Sequence, residues 1–494
     1  MKRIIAGFLA CALCIGAAAL ATTIEFEEKE ARIHQHLAAA EKAPCTHGDT
    51  QLCTHLPLLE INTGGQSVPG APILDEKGFI VEYTTTENGE ARAKVSLEIT
   101  DHTDTNNHLK DTPTVSSAAL FNIRGRSSRE FDKKSYRITL INNDGTNNNQ
   151  PVMGMDAHHE WVLHGPFLDK SLIRNYMWYN IAGEMMEYAP NVRFCELVID
   201  GSYQGLYLMT ESITKGYDDS RLSMEVKKKD NTFSGYILRV NDIYPFEDRT
   251  AVITDYGNYA FVARIPVEVI YPGAVNQTAE IRRTIELEFS AFEKALYSYD
   301  YDSEDYGYLQ WIDPPSFVDY FILNEFTCNI DAGRLSTHIY KDVSGKYKMC
   351  VWDFNNACDN YMETHINLHD FDTQNRLLFH MLCRDEDFTE AIVKRYKELR
   401  NGVLSEEYLL NYIDETLAYL GPAIDRNFEV WGYSFLPEEN LLKGENRTIG
   451  SHAEAVTQLK AFLIQRGNWM DQNIDAIREL SAESAVKKYN ENAD

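Results

Sequence analysis

Apolar and polar positions alternate from Gly78 to Thr100 around Asn88-Gly89, a pair suited to the tight turn of a hairpin, so strands are predicted to open the folded part of the chain. Ala118 to Ile123 and Ser135 to Ile141 predict two further strands, one on each side of a polar loop. A helical period then takes over: Ile173, Met177, Ile181 and Met185 recur every four residues, Asp169 and Ser171 can cap this helix, and Pro190 stops it. Arg193 to Ile199 and Tyr203 to Met209 flank Asp200-Gly201 and predict a second hairpin. From Pro315 onward, Phe317, Tyr320, Phe321 and Asn324 share a helical face, and a hairpin is predicted around Ser344-Gly345. Beyond Arg376 the pattern is almost wholly helical, over Leu377 to Leu399, Ser405 to Leu420 and His452 to Leu480. The expected class is α+β, strand-rich first and mainly helical later.

A chain of 494 residues exceeds the size at which one core stops growing, so two lobes sharing one cleft are expected. Met1-Lys2-Arg3, the apolar run Ile4 to Leu20 and the small-x-small Ala19-Leu20-Ala21 have the three parts of a signal peptide, and the run is also of the length of an anchor helix. A secreted or cell-surface protein is therefore expected, with a signal over residues 1–21, a linker over 22–57 broken by Pro and Gly, and the main domain from 58. The acidic, tyrosine-rich stretch Tyr297 to Tyr308 has no period and reads as a solvated loop, with substrate docking as its other reading.

A formal net charge of -28 excludes a nucleic-acid or anionic-membrane binder and favours a basic protein partner. The scattered cysteines exclude a disulfide scaffold. Cys45-Thr46-His47 and Cys53-Thr54-His55 repeat a short motif that could close a local disulfide loop or hold zinc.

Two features carry chemistry. Asp331 follows a predicted helix and Asp353 ends the apolar strand Met349 to Trp352; a carboxylate at such an exit suits a cation, a divalent metal among them, or an ordinary ion pair or cap. The loop Arg124-Gly125-Arg126-Ser127-Ser128, followed by Lys133-Lys134, combines backbone access, hydroxyls and positive charge, as phosphate requires. It lacks the spacing of a P-loop, and a basic hairpin tip is its plainer reading.

These segments resemble the CotH kinase family. Arg124-Gly125-Arg126-Ser127-Ser128 with Lys133-Lys134-Ser135-Tyr136 is similar to its "RGNSS…KKSY" signature, with Arg126 where Asn is usual. Asp169 to Asn175, Gly205 to Glu211, Asn329-Ile330-Asp331 and Trp352-Asp353-Phe354-Asn355 resemble four further motifs in the same order, over residues 58–421, with 422–494 a C-terminal helical extension outside it. The resemblance implies an atypical, two-lobed protein-kinase-like fold and transfer of the ATP γ-phosphate to a protein hydroxyl, Ser or Thr, of an exported or surface protein that is basic or Ser-rich. It implies ATP and Mg²⁺ or Mn²⁺ as cofactors. Arg124, Gly125, Ser127 and Ser128 would cover the phosphates, Lys133 or Lys134 would contact them, Asp331 would orient the attacking hydroxyl, and Asp353 would hold the metal. Ser336 stands five residues after Asp331, where ordinary kinases carry a metal-binding Asn, and Asn355 replaces the glycine of their DFG motif. Glu211 is either a hinge contact to the nucleotide or a capping carboxylate.

Two other classes compete. A cell-surface adhesion protein could retain the scaffold without catalysis, and a hydrolase could use the paired carboxylates, although it would need neither the basic loop nor Lys133-Lys134.

Overall fold

The computed structural model describes residues 24–26, 32–43, 52–217, 221–224, 234–260, 265–445, 447–482 and 484. The signal segment, Cys45 and His47 lie outside the described residues. Among the described residues no helix is long and apolar enough to cross a membrane. Among the described residues Cys195, Cys328, Cys350, Cys358 and Cys383 are free thiols.

The architecture is mixed α+β. Seven strands close a barrel: β1 (Leu58–Asn62), β2 (Ala93–Thr100), β3 (Val115–Arg124), β4 (Ser135–Ile141), β5 (Glu160–His164), β6 (Val192–Ile199) and β7 (Ser202–Glu211), in the order β5-β7-β6-β1-β2-β3-β4. The pairs are antiparallel except β1 with β6, which run parallel. Strand β2 shows how the sequence makes this wall: Val95, Leu97 and Ile99 point inward while Lys94, Ser96 and Glu98 face water, the two-residue period of a barrel. Phe121, Ile138, Trp161 and Tyr207 fill the interior.

A second sheet holds β8 (Tyr236–Val240), β9 (Val252–Ile253), β10 (Val267–Tyr271), β11 (Thr337–Lys341) and β12 (Lys348–Cys350), ordered β9-β10-β8-β11-β12 and antiparallel throughout. Helices α1 (Arg174–Met185), α2 (Ala279–Leu296), α3 (Pro314–Phe326), α4 (Glu386–Arg400), α5 (Glu406–Leu420), α6 (Pro422–Trp431) and α7 (His452–Asn473) complete the fold. Their starts follow ordinary capping chemistry: Asp313, Ser405 and Ser451 each accept a backbone N–H of the first turn.

Most predicted elements form, with three corrections. Asn88-Gly89 does sit in a turn, where Thr86 and Glu90 bond, but its flanks do not pair. Ile80–Tyr83 pairs instead with Pro72–Leu74 through the Asp75–Gly78 turn, because Ala93–Thr100 satisfies both edges inside the barrel. Leu377 to Leu399 is not one helix: the turn Phe379–Leu382 ends at Cys383, and Asp385 caps α4. The tyrosine-rich stretch is only partly solvated, since Tyr299 and Tyr306 are exposed while Tyr308 is buried and donates to Asp385 (2.9 Å).

Helix α6 lies at the start of the C-terminal helical extension, and it covers the outer face of the β6–β7 hairpin. Arg426 pairs with buried Glu196 through two contacts of 2.9 and 2.7 Å, and Asn427 Oδ1 accepts from the Leu206 N–H at 3.1 Å. Gly205, at φ +95°, permits this approach: a Cβ there would stand 2.6 Å from Asn427 Oδ1.

One buried acid pair makes stability depend on pH. Glu293 of α2 accepts from the Gly257 N–H (3.1 Å) near Asp255, and burial, then the Asp255 charge, raise its pKa to about 8. A carboxyl whose folded pKa is raised stabilises the fold at low pH and loses that contribution as pH rises through the folded value. Thermal stability should therefore fall between about pH 5 and 8, by up to about 1.4 kcal/mol per pH unit from this group. Glu293→Gln keeps an acceptor for Gly257 and should flatten that fall; melting curves of both proteins across this range check it.

Candidate functional site

Strands β3 and β4 pair as far as Arg124 opposite Ser135, and the basic loop joins them. Its glycine is obligatory for geometry: Gly125 has φ +112°, and a Cβ would fall 1.9 Å from Ser128 Oγ. Ser127–Arg129 forms one 3-10 turn. The basic side chains divide into two kinds. Arg129 is scaffold, donating to the carbonyls of Gly125 (2.7 Å), Ile123 (2.8 Å) and Gly70 (2.5 Å) and lying over the Tyr83 ring. Arg126 bridges to the end of β8, donating to Asp242 O (2.6 Å) and Oδ2 (3.0 Å) above the Tyr244 ring. Arg124 is different: its guanidinium lies 5.6 Å over Trp352 and interacts with Asp353. Burial lowers its pKa to about 10, so it stays cationic at neutral pH.

Asp331 sits in the tight turn between α3 and β11. Its backbone carbonyl accepts from Arg334 (3.2 Å) and Leu335 (2.7 Å), and Asn356 Nδ2 holds its Oδ2 at 2.7 Å. Arg376 clamps the same turn by donating to the carbonyls of Ile330 (2.5 Å) and Ala332 (3.1 Å). Asp353 leaves β12 at φ +64°, a left-handed conformation that a non-glycine residue adopts only when its surroundings impose it. Those surroundings are explicit. The Asp353 N–H donates to Tyr179 Oη (3.0 Å), its carbonyl accepts from Asn329 Nδ2 (3.1 Å), and Asn175 Oδ1 accepts the next N–H, that of Phe354 (2.8 Å).

Both aspartates and Arg124 therefore meet where the end of β3, the N-terminal half of α1 and the exit of β12 converge. Burial and the neighbouring Asp331 charge raise the Asp353 pKa to about 6, against the opposing pull of Arg124. Two like charges held together in this way suit a dication. Among the described residues no group of three His, Cys, Asp or Glu could hold a metal, so such an ion would complete its shell from phosphate and water, as magnesium commonly does. The residues present thus fit a nucleotide-bound Mg²⁺ or Mn²⁺. Ser336 is on the same turn at φ +49°, its N–H directed to Asn241 Oδ1 (3.4 Å).

Three other expected site residues have different surroundings. Lys133 is 1% exposed, and its ammonium donates to Leu206 O and Asn427 Oδ1, both at 2.6 Å, above the Tyr207 ring. Lys134 donates to Arg129 O (2.8 Å) and so steadies the loop. Glu211 is 0% exposed and accepts from the Asn191 N–H (2.9 Å) and Nδ2 (3.3 Å), with Arg221 Nε at 3.7 Å. The Glu211 carboxylate thus ties the end of β7 to the residue before β6, and both it and Lys133 are buried.

Asn175, Tyr179, Asn329 and Asn356 were not read as site residues, although they hold both aspartates. Asn175 and Asn329 stand inside motifs already noted, so adjacency was the available signal. Tyr179 had none, because it lies on a helix in which nearly every residue is buried.

The CotH kinase protein family matches residues 121–470, past the Gly421 at which the sequence resemblance was drawn to end. The inner spore coat protein H of Bacillus subtilis (strain 168) is 31% identical over 94 residues, 19% of this chain and 24% of that protein, so the match spans about a quarter of that relative's length. The basic loop, the aspartate turns and the helices that hold them all fall within the family match, and the chain belongs to the CotH kinase family.

Proposed function

We propose that this protein is a kinase that transfers the γ-phosphate of ATP to a hydroxyl side chain, Ser or Thr, of an exported or surface protein. The observation that carries the reading is the convergence of Asp331 and Asp353 with the Arg124 guanidinium at one end of the barrel. Phosphoryl transfer asks a protein mainly for positioning and charge neutralisation, and this constellation offers both. The name of the spore coat relative fits an extracellular or surface setting, and the net charge of -28 favours a basic substrate. The kinase-like two-lobed organisation, with the nucleotide between the barrel and the helical part, belongs to the same proposal.

In this reading Arg124 contacts the phosphates while the backbone of Gly125, Ser127 and Ser128 covers them, with Lys134 bracing that loop. Bound magnesium or manganese supplies neutralisation of the charge on the phosphates, with Asp353 as its main protein ligand and Ser336 as a neutral one. The Asn356 amide aims the Asp331 carboxylate at the substrate hydroxyl. The hydroxyl oxygen bonds to the γ-phosphorus as the bond to the β-phosphate oxygen breaks, ADP leaves, and the hydroxyl proton passes to Asp331. Lys133 and Glu211 serve the framework rather than the nucleotide.

The two aspartates should separate experimentally. Asp331→Asn preserves shape and should leave ATP affinity nearly unchanged while slowing transfer on the order of 10²-fold or more. Asp353→Asn should abolish metal-dependent ATP binding and transfer together. Calorimetry and a labelled-phosphate assay with a basic, Ser-rich protein read both; parental transfer rates in both folded variants would end the kinase reading in favour of a non-catalytic surface protein.

The basic side chains should separate as well. Arg124→Ala should weaken ATP binding by about tenfold at unchanged melting temperature, the typical loss for one charge-assisted contact. Lys133→Met should instead lower the melting temperature, because it leaves the Leu206 carbonyl without its buried partner.

A further inference from the structure

Glycine weakens a helix, yet α1 carries one inside its last turn, at Gly183. The reason lies far earlier in the chain. A Cβ at Gly183 would stand 2.0 Å from Arg32 Nη1 and 2.3 Å from Arg32 Cδ, so the bare backbone makes room for one side chain. Arg32 fills that room with specific bonds. Its Nη1 donates to the carbonyls of Tyr179 and Ala189, both at 3.1 Å, and its Nη2 to that of Pro190 at 2.5 Å. A cation beside the last turn of a helix is also favoured by the helix dipole.

The residues that follow Arg32 are bonded as fully. The Arg32 N–H donates to Glu184 Oε1 (3.0 Å), and His34 bridges Glu184 (2.8 Å) to Tyr412 of α5 (3.0 Å). The Gln35 amide pairs with the Phe194 backbone in both directions, at 2.7 and 3.1 Å, and His36 Nδ1 lies 2.8 Å from Tyr176 Oη. These residues form a strap that binds α1, β6 and α5 together. Tyr179 links the strap to the candidate site: its carbonyl accepts from Arg32, and its hydroxyl accepts the Asp353 N–H (3.0 Å). The Arg32 charge also acts on Cys350, the last residue of β12 before that turn.

Resting on the kinase reading above, we propose that Arg32 is a positioning residue for the nucleotide-bound metal, acting through Tyr179 on the backbone of Asp353. A left-handed aspartate keeps its conformation only while its surroundings impose it, and the Tyr179 hydroxyl is one of the three groups that do so. Without Arg32, the C-terminal half of α1 loses its tie to the Ala189 and Pro190 carbonyls, and Tyr179 moves with it. The Asp353 carboxylate then lacks the set direction that a dication with few protein ligands requires.

The test uses the purified full chain with Mn²⁺ and ATP, well below its melting temperature. Arg32→Ala should weaken metal-dependent ATP binding by about tenfold, the usual scale for a residue that orients a metal ligand, and Arg32→Lys should recover part of the loss. Gly183→Ala should reproduce the loss in the parental chain, because its Cβ expels the guanidinium, yet should cost nothing more in the Arg32→Ala chain, where that space is empty. Amide exchange gives a second readout: the Asp353 and Phe354 amides should exchange about tenfold faster in Arg32→Ala, while those of Val95 and Leu97 in β2 keep the parental rate. Parental metal-dependent ATP affinity in a folded Arg32→Ala protein would overturn the proposal, even at a lower melting temperature, and would mark Arg32 as structural. Additive losses in the double variant, or exchange that quickens everywhere alike, would overturn it as well. If Arg32→Ala does not fold, Gly183→Ala carries the same two measurements. If the parental chain binds no ATP with metal present, the kinase reading falls and this inference with it, whereas parental binding unaltered by either substitution overturns the inference alone.

Discussion

The buried guanidinium of Arg174 is the contact on which the rest of the site depends. It stands at the start of α1, 1% exposed, paired with Asp169 at 2.5 Å, and reaches the carbonyls of Ala357 (3.1 Å) and Cys358 (3.3 Å). Burying two charges costs more than their attraction returns unless further hydrogen bonds satisfy them. Here they do: Asp169 also accepts the Arg174 N–H (2.9 Å) and the Ser171 N–H (3.1 Å) and hydroxyl (2.6 Å). The consequence is geometric. One ion pair closes the loop that enters α1 and at the same time fixes the segment just after Asp353, and the next residue, Asn175, fixes Phe354. The left-handed backbone at Asp353 is held by these neighbours, so its carboxylate has a set direction before any ligand arrives.

The second constraint is a deliberate imbalance of charge. Burial first, and then the neighbouring Asp331 charge, raise the pKa of Asp353, with Arg124 pulling the other way. A site made only for stability would pair each carboxylate, as Arg395 pairs Asp319 and Arg426 pairs Glu196 elsewhere in this chain. The same logic separates the basic residues of the loop. Arg126 and Arg129 have their hydrogen bonds satisfied within the protein, and Arg124 faces the aspartates.

The C-terminal helices are part of this machinery. Arg466 of α7 is wholly buried and donates to Glu325 Oε1 (2.5 Å) and to the carbonyls of Glu325, Leu368 and Asp370. Glu325 in turn receives the Thr373 N–H (2.7 Å). The pair locks the last turn of α3, from which the Asp331 turn departs, to a helix more than a hundred residues later. Helix α6 plays the corresponding part for the barrel, where Asn427 joins the β7 backbone to Lys133. Truncation at Gly421 would therefore remove both supports.

The sequence alone determined the elements whose information is local. The β3–β4 pair, the Asp200-Gly201 hairpin, α1 and α3 follow from period and turn pairs, and α5 from period and its Ser405 cap, whereas α1 begins after Ile173 without the side-chain cap that Asp169 or Ser171 was expected to supply; the positions of Asp331 and Asp353 at element ends follow from the same local signals. The family's ordered motifs also brought the site residues into one list before any distance was known. Tertiary structure decided the rest, because partner choice is not encoded in spacing. Asn88-Gly89 makes its turn, yet the barrel claims Ala93–Thr100; Lys133 and Lys134 are adjacent in sequence just before β4, yet one ammonium enters the protein and the other bonds to the loop. Arg129 bonds within its own loop and to Gly70, whereas Arg124 lies beside Asp353 on a distant strand end, and only the folded chain decides which surroundings each side chain meets.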